Sequence, residues 1–178
     1  FGPHMFEIQE AVMNELGLRQ VEASTQIVQR DRHAEFVSLL ALIGSSLDKF
    51  ATEIRNLQRT EIRELVEPFR MDRQVGSSTM PAKVNPIKCE RVCSLARLMR
   101  SLVLVSLENV PLWHERDLTN SANERFIIPQ SCILMDEMLK TMTNILKGLK
   151  VQTENLERNL NLGQGLIMSE SVMLLLAK

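Results

Sequence analysis

An all-α fold, built as a long antiparallel helical bundle, is predicted by three features of the sequence. Apolar residues recur in alternating steps of four and three over long segments, and no segment keeps the period-two alternation of a strand. The chain also has ten methionines and no tyrosine, which suits aliphatic packing between helices. With 178 residues, 44% of them hydrophobic and 24% charged, it can bury a core and is too apolar for disorder.

Residues 1–5, Phe-Gly-Pro-His-Met, show no periodicity and read as an expression-tag remnant, a protease site joined to a cloning site. From Phe6 the pattern turns helical, with Ile8, Val12 and Leu16 on one face and Gly17 placed to cap it. A connector, Leu18 to Ser24, follows. Ser24 or Thr25 then caps a helix running to Leu57, whose seam is Phe36, Leu40, Ile43, Leu47, Phe50, Ile54 and Leu57. At 1.5 Å per residue this helix would reach about 45 to 50 Å, so it needs equally long partners.

Two later segments supply those partners. Val92, Ala96, Met99 and Val103 form one stripe and Leu95, Leu98, Leu102 and Val105 another, so the helix after residue 86 is apolar over much of its circumference and belongs at the centre of a bundle. The next long helix carries Ile128, Cys132, Met135, Leu139, Met142, Leu146 and Leu149, and ends near Gly148 and the Lys147/Lys150 pair. Val151-Gln152-Thr153 breaks the pattern before a short helix, Glu154 to Leu160. Gly163 and Gly165 mark a turn, and Leu166 to Ala177 is a final apolar helix, still hydrophobic where the chain stops, as expected of a truncated chain. The expected organisation is residues 6–150 as part of a central helical-bundle domain, with residues 151–178 beginning a second, C-terminal helical domain.

Charge and cysteine usage narrow the function classes. With 21 basic and 22 acidic side chains the net charge is -1, so no global field recruits nucleic acid or an anionic membrane, and any anion site must be local. No apolar run is long enough for a membrane span and no secretory signal is present, so the cytoplasm is the expected compartment. Cys89, Cys93 and Cys132 suit neither a disulfide framework nor a zinc ribbon. Cys89 and Cys93, four apart, are either half a metal site or, more simply, two small buried residues. The acidic Glu53, Glu61, Glu64 and Glu67 with the basic Arg55, Arg59 and Arg63 read as a solvated helical face.

The chemistry concentrates in the loop from Gly76 to Pro86, Gly-Ser-Ser-Thr-Met-Pro-Ala-Lys-Val-Asn-Pro. Gly76, Ser77 and Ser78 leave the backbone free and a ligand unobstructed, while Pro81 and Pro86 limit the loop. Asn85 is a good N-cap and Pro86 a good first helical residue, so the loop ends at a helix N-terminus with Lys83 beside it, a place that favours an anion. An ammonium and a helix start would also stabilise a serine oxyanion. On spacing alone, however, such a loop is usually a capped turn.

The eleven-residue stretch matches at every defined position the Gly-Ser-Ser-x-Met-Pro-x-Lys-x-Asn-Pro signature of the fumarase/aspartase superfamily, which it resembles. The flanks, Ser24-Thr25-Gln26, Gln29 to Glu35, Pro111 to Asp117 and Ser121 to Arg125, are similar to the adenylosuccinate lyase family, and the similarity runs through Phe6 to Lys178. The resemblance implies a carbon–nitrogen lyase that releases fumarate by anti β-elimination from adenylosuccinate and from succinylaminoimidazole carboxamide ribotide, with no metal or organic cofactor. By position, it implies Ser77 as general base and Lys83 and Asn85 as stabilisers of the aci-carboxylate, with the backbone of Ser78, Thr79 and Met80 holding that carboxylate. Gln26 matches a substrate-binding glutamine, with Arg30 a weaker candidate, and Arg116, Ser121 and Arg125 match contacts to the AMP phosphate.

Without the resemblance, Arg116, Ser121 and Arg125 read as a solvated helix start. His33 and His114 stand at neither of the family's acid positions, and Trp113 reads as a packing anchor near the site. The family's sites are assembled from three subunits of a homotetramer, and its two earlier motif regions, which bring the catalytic histidines, are not represented here. The chain is therefore expected to be an inactive fragment of a longer enzyme and an oligomer. The alternatives are another superfamily lyase, argininosuccinate lyase-like or a carboxymuconate cycloisomerase, and a non-catalytic helical oligomerisation module.

Overall fold

The computed structural model describes residues 2–69 and 84–177. Three long helices, α2 (Asp31–Leu57), α3 (Ile87–Glu108) and α4 (Ser121–Gly148), form the bundle. Shorter helices flank it: α1 (Met5–Leu16), α5 (Thr153–Asn161) and α6 (Ser169–Leu176). The expected all-α bundle is present, with one small departure, an antiparallel pairing of β1 (Leu65–Val66) with β2 (Lys150–Val151). Two residues per strand are too few to leave a period-two signal in the sequence.

The core has two clusters, and their membership fixes the helix directions. Ala51 and Ile54 from the end of α2 pack with Cys89, Val92, Cys93 and Ala96 from the start of α3 and Met138, Met142 and Ile145 from the end of α4. Val37 and Ala41 pack with Met99 and Leu102 and with Ile127, Leu134 and Met135. Thus α3 runs antiparallel to α2 and α4.

Which stripe of α2 faces inward differs from the expected seam. The buried positions are Ala34, Val37, Ala41, Gly44, Ala51 and Ile54, while Phe36, Ile43 and Phe50 are exposed and Leu40 and Leu47 sit at the margin. Small residues let α3 and α4 approach closely. An added Cβ at Gly44 would lie 3.5 Å from both Met138 and Met99, so methionines fill the space that the glycine leaves. The large side chains consequently point out of the chain. The same holds for Leu98 on α3 and for Phe126, Ile133, Leu139 and Leu146 on α4, all exposed.

Boundaries moved where local chemistry was misread. Helix α2 begins six residues after Thr25, because residues 18–30 take a non-helical path that Arg30 pins by donating Nη1–H to the Val28 carbonyl at 2.6 Å. Gly17 does cap α1 as expected, in a left-handed conformation with the Leu18 N–H on the Met13 carbonyl. Gly148 ends α4 as expected and has a steric role as well. It is the last residue of α4, followed by extended Leu149, and an added Cβ would fall 2.6 Å from Cβ of Pro68. The segment Leu65–Pro68 is thereby held flush against the end of α4, and α5 is tied to the same region by Asn159 Nδ2–H to the Ile62 carbonyl and Gln152 N–H to the Glu64 carbonyl.

Replacing Gly148 by alanine should cost about 1–3 kcal/mol through overpacking, whereas Gly44→Ala meets only ordinary contacts and should be neutral or gain up to about 1 kcal/mol from helix propensity. Denaturant unfolding of the two variants decides this; equal behaviour would refute the steric role given to Gly148.

Candidate functional site

Those sequence-predicted site residues that the structure describes divide between the two ends of the bundle. Ser77, Ser78, Thr79, Met80 and Lys83 lie outside the described residues. Asn85 is described, half-buried, two residues before α3. It borders a cavity of about 660 Å³ whose wall also includes Arg55, Arg59, Arg63, Thr60 and Glu90. Gln26, Arg116, Ser121 and Arg125 belong to the opposite end, where α2 and α4 begin.

That second end is organised by one carboxylate. Glu124, in the first turn of α4, receives Nε–H of Arg30 at 2.7 Å and Nη2–H at 3.1 Å, a bidentate pair, and His33 Nδ1 lies 3.3 Å away. Both ionic side chains are well shielded, with 15% and 11% exposure, so the pair joins the segment bearing Gln26 to the helix bearing Ser121 and Arg125. Arg30, a weaker ligand candidate from the sequence, is thus engaged in holding the frame. Ser121 and Arg125, four apart, share one face of α4. Arg116 is exposed on the connection before them, which Asp117 shapes by accepting N–H from Trp113 and Thr119 and the Thr119 hydroxyl. Trp113 itself is 79% exposed, so within this chain it is no packing anchor. Neighbouring His114 is held at φ 45, in the left-handed region.

At the Asn85 end the helix start is built differently from the expected N-cap. The Asn85 side chain does not cap α3; Pro86 occupies that position without a side-chain hydrogen bond, and the Asn85 carbonyl accepts Ile87 N–H at 2.9 Å. The capping groups come from Glu67, which is buried, not part of a solvated helical face. Its Oε1 accepts the Lys88 N–H and its Oε2 the Cys89 N–H, both at 3.1 Å. The two amides that would have greeted a ligand anion are therefore occupied by the protein's own carboxyl group. Sequence reading missed this, although a charged residue inside the apolar run Leu65-Val66-Glu67-Pro68-Phe69 was a usable signal. Helix α2 ends at Leu57, so Glu61, Glu64 and Glu67 were never on its face.

Cys89 and Cys93 are both buried, consistent with the simpler of their two readings, and no cluster of metal-ligating side chains occurs among the described residues. Burial, and then the charge of Glu67, push the Cys89 thiol far above its ordinary range, so it stays protonated and inert. No described helix is long and apolar enough to cross a membrane.

The helical bundle agrees with what comparison shows. A lyase family matches residues 3–99, more than half of the chain, and the chain belongs to that family. Among individual proteins, it is 57% identical over 178 residues to adenylosuccinate lyase of Pyrococcus abyssi and 50% identical over 172 residues to that of Aquifex aeolicus. The match covers 100% of this chain in the first case and 97% in the second, and 39% of each relative, so the chain spans about two fifths of their length. The alignment with the Pyrococcus protein includes residues 1–5, which a cloning remnant gives no reason to expect. Among solved structures, the fold is similar to a 3-carboxy-cis,cis-muconate lactonizing enzyme from Pseudomonas putida, with a TM-score of 0.80 and 35% identity over 99% of this chain and 39% of that one. A fumarate lyase from Mesorhizobium gives the same TM-score at 29% identity, covering 99% of this chain and 38% of that one.

The hydroxyl of Thr119, followed by the backbone N–H groups of Trp113 and Thr119, holds the Asp117 carboxyl below its usual range. A depressed folded-state value means that the turn is stabilised above the unfolded-state value and loosens as pH falls through the folded one. The Trp113 and Thr119 amide resonances should therefore titrate with a midpoint below the ordinary aspartate value of about 3.9, and Asp117→Asn should remove the transition. A midpoint above that value would contradict the assignment.

Proposed function

We propose that this chain forms part of an adenylosuccinate lyase, a carbon–nitrogen lyase that releases fumarate from adenylosuccinate and from succinylaminoimidazole carboxamide ribotide. The observation that carries the reading is the complete Gly76–Pro86 signature in a chain whose whole length aligns with adenylosuccinate lyases at up to 57% identity. The muconate lactonizing enzyme, at 35% identity, makes a cycloisomerase the weaker reading.

In the proposed reaction Ser77 takes the proton from the carbon next to a succinyl carboxylate. Lys83 and Asn85 hold the aci-carboxylate that forms, with the backbone of Ser78, Thr79 and Met80 around it. The electron pair then expels the nitrogen, which receives a proton from an acid outside this chain, and fumarate leaves. Arg116 and Arg125 grip the nucleotide phosphate with the Ser121 hydroxyl, since paired guanidinium groups match a dianion, and Gln26 contacts substrate. No metal or organic cofactor enters this scheme.

The geometry supports a site completed between copies. Asn85 precedes α3 and the arginine corner follows it, so the 22 residues of that helix separate them by about 33 Å, much more than one substrate spans. A single copy cannot present both groups to one molecule. The exposed apolar residues Phe36, Ile43, Phe50, Leu98, Phe126 and Ile133 provide faces for association into the homo-oligomer, a tetramer, that this requires. The surroundings proposed are cytoplasmic, with small-molecule ligands and neither nucleic acid nor membrane as partner.

Fumarate release followed by ultraviolet absorbance tests the reading. The full-length protein should turn over adenylosuccinate and not argininosuccinate or a carboxymuconate. Ser77→Ala should lower kcat by roughly 10² to 10⁴-fold, and Arg116→Ala should act mainly on KM. The isolated chain should be inactive yet elute above its monomer mass of 20.3 kDa. Turnover by the chain alone, or full activity of Ser77→Ala, would overturn the assignment of roles.

A further inference from the structure

We propose that Glu67 is a positioning residue: by capping α3 from outside the helix, it fixes where Asn85 stands. This rests on the proposed lyase reading only in the chemistry given to Asn85; the positioning itself is a matter of geometry.

Glu67 is 3% exposed, so its carboxyl oxygens are turned away from solvent and toward the protein. They accept the N–H groups of Lys88 and Cys89, the second and third residues of α3, at 3.1 Å each. A capping side chain ordinarily stands immediately before its helix. Here it stands twenty residues before Ile87, so the cap is also a tertiary clasp. Gln58, just after α2, completes it. Its Oε1 accepts the Glu67 N–H at 2.8 Å, and its Nε2–H reaches the Val84 carbonyl at 3.4 Å. Lys88 Nζ donates to the Pro68 carbonyl at 2.8 Å, crossing between the same two chain segments.

Asn85 therefore lies between two held points, with Val84 anchored to Gln58 on one side and the first turn of α3 anchored to Glu67 on the other. The backing of the clasp is rigid, since Leu65–Val66 is paired with β2 and Pro68 is pressed against Gly148. Freeing the Glu67 carboxyl group would leave one buried and one half-buried N–H donor without their partner and let the α3 start, and Asn85 with it, shift or fray. Because Asn85 is assigned to the charge that develops during proton abstraction, a small displacement should act on turnover more than on substrate binding.

The test is made in the full-length protein with Glu67→Ala and Glu67→Gln, whose amide oxygen can still accept one of the two N–H groups. Normalised to folded sites, Glu67→Ala should lower kcat at least about tenfold with KM within about threefold, and Glu67→Gln should recover part of the loss. Wild-type kcat per folded site in Glu67→Ala would overturn the proposal. A second measurement does not depend on the reaction assigned. In this chain, Glu67→Ala should speed amide exchange at Lys88 and Cys89 by about tenfold or more and move the Asn85 side-chain NH₂ resonances; unchanged exchange and resonances would also overturn it. If the wild-type enzyme releases no fumarate, the lyase reading fails by itself, and the exchange experiment still decides whether Glu67 positions Asn85.

Discussion

The close approach of three helices along a stripe of small residues is the constraint on which the structure depends. Ala34, Ala41, Gly44 and Ala51 give α2 a flat inner face, and Met99, Met135 and Met138 fill what remains. Unbranched methionines adapt to that narrow, irregular space better than branched side chains would. Once the small stripe is inside, the bulky one must be outside. The exposed Phe36, Ile43 and Phe50 are thus a consequence of the same packing that builds the core.

The bundle's length also sets the arrangement of the chemistry. A compact domain gathers its functional side chains in one cleft, but antiparallel rods place successive connections at opposite ends. In sequence the signature precedes α3, and the connection after α3 bears Arg116 and leads to Ser121 and Arg125. Each end has its own anchor shielded from solvent. The Glu67 carboxyl group secures the start of α3, and the bidentate Arg30–Glu124 pair secures the starts of α2 and α4. In both cases a carboxylate draws together segments far apart in sequence: Glu124 is adjacent to Arg125, and the N–H groups that Glu67 accepts lie three and four residues after Asn85.

These anchors also leave basic side chains in excess near one end of a nearly neutral protein. Acidic side chains are drawn into structural pairings, and Arg55, Arg59 and Arg63 border the cavity beside Asn85 with Glu90 as their acidic neighbour there. The start of α3 has less to offer an anion than the sequence suggested, because Glu67 already takes its second and third N–H groups.

The existence of three long helices, the all-α class and the signature at Gly76–Pro86 were legible in the sequence, because 3.5-residue periodicity and a run of defined residues are local properties. The ends of α1 and α5 were legible for the same reason: caps and breaks such as Gly17 and Gln152-Thr153 act within a turn. Sequence alone could not choose between two apolar stripes on α2, since both have helical spacing and only the partners decide which one fits. Nor could it find the cap of α3, assigned to Asn85 by proximity and supplied by Glu67 from across the fold. Gly148 ends α4 where the sequence placed the stop, but its second role, making room for Pro68, was not legible. Local periodicity names the elements; close packing and the need to satisfy buried N–H groups, both set by residues distant in the chain, settle how the elements meet.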